Sequence, residues 1–176
     1  MKIAIDAGHG PATRGKRSPD GMKEFEFNRA TALFLRDELP ADTLLVHDDQ
    51  IDLSLRERVQ RANQAGADLY VSIHANAFGT GWTEPNGIET YVCTSRPPES
   101  MAIAQAVQRE LVLATGRRDR GVKTADFYVL RKTIMPAILI EAGFMTHKTE
   151  ASLLQRTDYR KTCARAIASA IRLTCM

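Results

Sequence analysis

The feature that most constrains this chain is a rhythm: short apolar runs alternate with longer amphipathic stretches from one end to the other. Such short runs can be buried only in a sheet that has helices covering it. The rhythm therefore predicts an α/β fold with a six-stranded, mostly parallel sheet and helices on both faces. With 176 residues, 44% of them hydrophobic, there is enough material for one sizeable core and one domain spanning 1–176. No repeat, linker or low-complexity tract argues for a second.

Six segments read as strands: "KIAID" (2–6), "TLLVH" (43–47), "DLYVSIH" (68–74), "IETYVCT" (88–94), "FYVL" (127–130) and "AILIE" (137–141). Between them, 24–39 reads as a helix, with Phe27, Ala30, Leu33 and Phe34 marking the turns of its period and Pro40 ending it. Residues 53–66 form a second helix, capped by Ser54 with Glu57 three residues on and closed by Gly66. A third, 97–116, has Pro98 in its first turn and Gly116 after its last, and 149–175 supplies one or two terminal helices. Residues 75–87 are a Gly-rich loop.

No apolar run reaches the roughly 18 residues of a membrane span, and "MKIAIDAGHG" turns polar too early to hold the apolar core of a signal peptide. Cys93, Cys163 and Cys175 lack metal or redox spacing, and the last two sit too far apart in one helix to bridge, so reduced thiols are expected.

In open α/β sheets, ligands gather beyond the carboxyl ends of the strands. There the first run ends in Asp6-Ala7-Gly8-His9-Gly10, the third in His74-Ala75-Asn76 and the last in Glu141-Ala142-Gly143. Taken singly, each is ordinary: a histidine closing a strand is usually just solvated, and a glutamate can mark where a sheet meets water. Together at equivalent strand ends they point to a site. Two imidazoles and a carboxylate, with a fourth position for water, make a catalytic zinc set. Glu141 could complete that set or stand beside it as a base. Glu24 is the other contender, since it opens the helix after the long loop from His9, although a favourable charge in a helix's first turn explains it equally. Glu26 is turned about 200° away by the helical period. "GPATRGKR" (10–17) nearly spells a phosphate-binding loop, but Arg17 replaces the magnesium-binding hydroxyl and "SPDG" follows where a helix is required, which argues against nucleotide binding.

The segments "IDAGHG", "KEFEFN", "LRERVQRAN", "DLYVSIHANA", "GIETYV" and "RGVKTADFYVLRKTIMPAILIEAGFMTHKTE" occur in the order seen in zinc-dependent N-acetylmuramoyl-L-alanine amidases. From residue 3 to about 170 the chain resembles this family, the catalytic domains of bacterial autolysins and phage endolysins. The resemblance implies zinc held by His9, Glu24 and His74, Glu141 as the catalytic glutamate, and an α/β sandwich around a six-stranded sheet. It also implies hydrolysis of the amide between N-acetylmuramic acid and the L-alanine of the stem peptide. The implied partner is peptidoglycan, reached in the periplasm or outside the cell, by a monomer with no membrane span and no nucleic-acid partner. The missing export signal suits a phage lysin released through a pore or an excised catalytic domain.

Pro11, Arg29 and His147 depart from the family's usual glycine, leucine and asparagine, which bears on loop shape and substrate fit more than on the metal. Asp6 and Asn76 are candidates to orient the imidazoles. Trp82 either stacks on substrate or packs its loop. His47 and His147 are expected as surface or cap residues. A net charge of +3, with basic clusters at 14–17 and 116–123, suits an anionic wall, and Arg117, Arg118 and Arg120 would assist retention there, although charge alone would suit nucleic acid equally. Two rival readings remain open: a zinc peptidase acting on free peptides, and a wall-binding module that kept the fold without the chemistry.

Overall fold

Alternation along the strands decides which side of the sheet each residue serves. The computed structural model describes residues 1–14 and 16–175. Its strands are β1 (Lys2–Ala7), β2 (Asp42–Leu45), β3 (Leu69–Asn76), β4 (Ile88–Val92), β5 (Asp119–Thr124) and β6 (Ala137–Phe144). They form one sheet in the order β2-β1-β3-β6-β4-β5. All pairs are parallel except β4 with β6, where Glu89 stands opposite Glu141.

The helices are α1 (Glu24–Glu38), α2 (Leu55–Gln64), α3 (Pro98–Thr115), α4 (Tyr128–Lys132), α5 (Lys148–Gln155) and α6 (Thr157–Cys175). Ile3, Ile5, Val71, Ile73, Ile138 and Ile140 face one way and pack with residues of α1, α3 and α6 in the larger core. Residues of opposite parity, Ala4, Tyr70 and Leu139, face the other way and pack with Val59 and Ala62 of α2 and Val129 and Leu130 of α4. Each large apolar side chain so buried contributes about 1.5–3 kcal/mol. None of the described helices is long and apolar enough to cross a membrane.

The helix punctuation follows the sequence. Ser54 Oγ accepts the Glu57 N–H while Glu57 Oε2 accepts the Ser54 N–H, a capping box at the start of α2. Gly116 closes α3 with φ 64°. The buried stripe of α1, however, runs through Glu24, Phe25, Phe27, Asn28, Thr31, Ala32 and Leu35, leaving Ala30, Leu33 and Phe34 only half-buried.

One expected strand is misplaced. "FYVL" is not a strand: Tyr128–Lys132 is the short helix α4, and the fifth strand is the polar stretch "DRGVKT" at 119–124. A brief apolar run cannot distinguish a strand from a turn of buried helix. Here Val129 and Leu130, adjacent in sequence, are both buried against the same face, which a helical turn allows and a strand does not. The sheet edge needs apolar residues less, so β5 carries Arg120 and Lys123.

Candidate metal centre

Three strand ends and the first turn of α1 meet at one corner of the sheet. After β1 the chain turns through Gly8 into His9, which has a left-handed backbone at φ 62°. A Cβ on Gly8 would lie 2.1 Å from Cε1 of His74, so only glycine lets the β1 turn pass this close to that ring. Asn28, one turn into α1, donates both to the Gly8 carbonyl (3.0 Å) and to Glu24 Oε1 (3.2 Å), tying the turn to the helix.

His9, Glu24 and His74 come together. Glu24 Oε2 lies 3.0 Å from His9 Nε2, and Glu24 Oε1 lies 2.9 Å from His74 Nδ1. Their ligating atoms all fall within 4.8 Å of one another. The two imidazoles stand edge to face, centroids 5.1 Å apart. Glu24 is 3% exposed, whereas Glu26 is exposed on the far side of α1, as the helical period requires. Burial alone would raise the Glu24 carboxyl, but its hydrogen bonds to His74 and His9, reinforced by their charge, hold it well below the usual range. Burial likewise opposes a charged His74, yet Glu24 drives it up. The buried Glu24 carboxylate thus favours positive charge between the two imidazoles, a role that a cation bound by all three would take over from their protons.

Glu141 sits beside His74 across the β3–β6 pair. Its Oε2 is buried and, among the described residues, has no hydrogen-bond partner. Burial is the main cause that pushes its carboxyl upward, against the attraction of His74. An orphaned carboxylate oxygen is costly to maintain unless something arrives to use it. It lines a cavity of about 670 Å3 shared with His9, His74, Lys16, Phe127 and Tyr128. Two imidazoles, one buried carboxylate and an approach from a cavity match zinc's preference for nitrogen and oxygen donors with one position left open.

The supporting residues differ from those expected. Asp6 orients neither ring: it accepts from Arg58 Nη1 at 2.7 Å and from Ser72 Oγ at 2.8 Å. Asn76 shares the face of His74 but turns away from the imidazoles, donating to Glu89 Oε1 at 2.6 Å, with the register shift after His74 lying between the two. The residue that sequence reasoning missed is Arg58. Its side chain is 2% exposed, and besides Asp6 it donates to the carbonyls of Leu53, Ala7 and His9, holding the left-handed turn from beneath. The available signal was an arginine on the inward stripe of α2 beside Val59 and Ala62. His47 is buried at 6% exposure, not a surface residue, and its Nδ1 accepts the Ala7 N–H. His147 does cap α5, accepting the Glu150 N–H. Trp82 is 41% exposed and lies outside the cavity lining. Gly15, second glycine of the phosphate-loop look-alike and part of the 14–17 basic cluster, lies outside the described residues. Residues 16–23 form turns and an isolated Arg17–Lys23 bridge where such a loop would need a helix.

Set against known proteins, residues 3–173 match the family described as N-acetylmuramoyl-L-alanine amidase. The chain is 40% identical to the amidase LytC of Bacillus subtilis over 169 residues, covering 94% of this chain but only 34% of LytC, so it spans about a third of that relative. Among solved structures, it is similar to an N-acetylmuramoyl-L-alanine amidase from Clostridium difficile 630, with a TM-score of 0.93, 34% identity and coverage of 98% of this chain and 95% of that one. The catalytic domain of CwlV from Bacillus (Paenibacillus) polymyxa gives a TM-score of 0.90 at 34% identity, covering 98% and 97% of the two chains.

Proposed function

That the chain belongs to the N-acetylmuramoyl-L-alanine amidase family is the premise from which we propose its reaction: zinc-dependent hydrolysis of the amide joining N-acetylmuramic acid to the L-alanine of the peptidoglycan stem peptide. The observation that carries this reading is the convergence of His9, Glu24 and His74 beside the unpartnered Oε2 of Glu141. His9, Glu24 and His74 are the metal ligands and Glu141 is the catalytic residue. Zinc, when bound, supplies a Lewis acid that acidifies water and polarises the scissile carbonyl.

The protein groups do the rest. Glu141 Oε2, without another hydrogen-bond partner among the described residues, takes the proton from the attacking water and returns it to the departing amine, so one carboxylate serves as base and then acid. Burial, which raises its proton affinity, suits it to hold that proton between the two steps. Asn28 and Arg58 fix the backbone that carries His9 and Glu24, so the ligands need no rearrangement before the reaction. All four groups come from one chain, which favours a single catalytic domain acting as a monomer, and the likeness to amidase and endolysin relatives supports action on the bacterial wall, in the periplasm or outside the cell.

Digestion of purified wall, followed by mass analysis of the products, tests the reading. Peptides with a free L-alanine amine should be released from intact glycan, release should stop with a chelator, and zinc should restore it. Stem peptide lacking muramic acid should stay uncut, and its cleavage would favour a peptidase instead. Wall binding without turnover in the zinc-loaded protein would favour a non-catalytic module.

A further inference from the structure

A second cluster of charge adjoins the proposed catalytic glutamate on the same face of the sheet. Glu89 stands directly opposite Glu141 in the antiparallel β4–β6 pair, so the two carboxylates are neighbours. The Glu89 side chain is 3% exposed and its hydrogen-bonding capacity is filled. Oε1 accepts from Asn76 Nδ2 (2.6 Å) and Tyr91 OH (2.8 Å), while Oε2 accepts from Arg120 Nε (2.8 Å) and from Lys123 Nζ. Four donors match the roughly four lone-pair sites of a carboxylate.

One cation would neutralise Glu89; the cluster holds two. Counted over Glu89, Arg120 and Lys123 the balance is positive by one unit, with the neighbouring Glu141 carboxyl outside that count, and it is carried on side chains that remain accessible: Lys123 is 37% exposed and Arg120 25%. Each has N–H donors beyond the one given to Glu89. The helix packed on β4 and β5 is α3, on the opposite face, so the cationic heads stand on sheet surface that α3 does not cover. Tyr91 joins this patch to the cavity, its ring 5.3 Å from that of Phe127, which lines the cavity with Glu141. Arg120 is braced as well, its guanidinium 4.9 Å from the centroid of Phe144. Two cations held by a buried carboxylate and an aromatic ring, with donors to spare, are fixed in place, unlike those of a freely solvated basic face.

We propose that Lys123 and Arg120 form a subsite for a carboxylate on the peptide half of the substrate. This rests on the amidase reading and sets a direction within it. N-acetylated sugars carry no charge, and the lactyl carboxyl is consumed in the scissile amide, so the peptide is the half that offers an anion. The peptide then lies over β4 and β5, and Glu89 is a positioning residue that presents the two cations without touching substrate.

The test pairs a muramoyl-peptide bearing free peptide carboxylates with the same compound carrying them as amides, both offered to the zinc-loaded full chain. The wild type should favour the free acid by about tenfold in kcat/KM, the difference lying in KM, as expected for a charged hydrogen bond. Lys123→Gln should bring that ratio toward one, Arg120→Gln should act in the same direction, and Lys123→Arg should restore much of it. Binding of the released peptide, measured by calorimetry as free acid and as amide, should show the same preference and the same loss, without turnover. Equal treatment of the two substrates by the wild type would overturn the subsite, as would a preference that survives in Lys123→Gln. Cleavage of neither substrate would instead bring down the amidase reading and the subsite with it.

Discussion

The two faces of this sheet are built from the same strands yet made of different material. Toward α1, α3 and α6, successive strands present Ile3, Ile5, Val71, Ile73, Ile138 and Ile140, all fully buried and all apolar. Toward α2 and α4 the same strands present Ala4 then Asp6, Tyr70 then Ser72 and His74, Leu139 then Glu141, and on β4 Glu89 with Tyr91. That second face is apolar near the strand starts and polar at their carboxyl ends. The period of two makes the division possible: one residue can serve stability while its neighbour serves chemistry. The polar end is tolerated only because each buried charge there is answered, Asp6 by Arg58 and Glu89 by Arg120 and Lys123. Among the described residues Glu141 Oε2 is the exception, which is what makes Glu141 the proposed catalytic residue.

The difference between the faces can be broken most sharply at that exception. Glu141→Gln should lower kcat by about 10²–10⁴-fold, with zinc content by elemental analysis retained and the urea midpoint level or raised. A fall in midpoint would mean that the orphaned oxygen contributes to folding after all. The next largest effect belongs to the answered charge. Arg58→Met leaves Asp6 buried without its cation and three carbonyls without their donor, and should cost about 3–5 kcal/mol in urea unfolding. Replacing Asp6 by asparagine in the same chain should recover part of that loss. No recovery would show that the carbonyl contacts, rather than the ion pair, are what hold the turn.

How much of this could be read from the sequence follows the same division. On the apolar face, parity and period suffice, so β1, β3, β6 and the capped helices α2 and α3 stand where the patterns put them. The proposed histidine ligands were legible as polar residues closing apolar runs, and Glu24 stood apart from an ordinary first-turn charge in the sequence only through the family resemblance. The polar networks were not legible. Arg58 reaches Asp6 across 52 positions and Glu89 reaches Arg120 across 31, and no local pattern encodes such a pairing. The misassigned "FYVL" belongs to the same class, because its helical form depends on α2 being present to cover Val129 and Leu130. Arg120, expected as a free basic residue, is half of an ion cluster for the same reason: nothing in "GRRDRGVK" announces that Glu89 lies beneath it.

On the apolar face, a truncation should register as stability alone. Leu111→Ala, in a fully buried position of α3, should cost about 2–5 kcal/mol while leaving kcat per folded molecule and zinc content near wild-type values. A kcat loss beyond the folded fraction would mean that the two faces are mechanically coupled through the strands, and the separation drawn above would fail.

The smallest effect lies at His47, a polar group at the end of β2 whose ring packs edge-on against Phe25 of α1, on the apolar side. Burial is the main cause that depresses its proton affinity below the ordinary value, outweighing the pull of Asp6 and Asp49, while Arg58 and Arg29 push the same way as burial. Its neutral Nδ1 accepts the Ala7 N–H at 3.2 Å, and protonation would remove that acceptor. The unfolded chain therefore takes up a proton at a higher pH than the folded one. The contribution of a neutral His47 is complete above about pH 6.5. It is lost as pH falls from there toward the depressed folded value, since the unfolded state binds the extra proton across that window. Unfolding free energy, followed by urea titration between pH 7.5 and pH 5, should thus decline on acidification with a slope that His47→Gln reduces. An unchanged slope would mean that the ring is already charged in the fold and that the apolar face accommodates an ion after all.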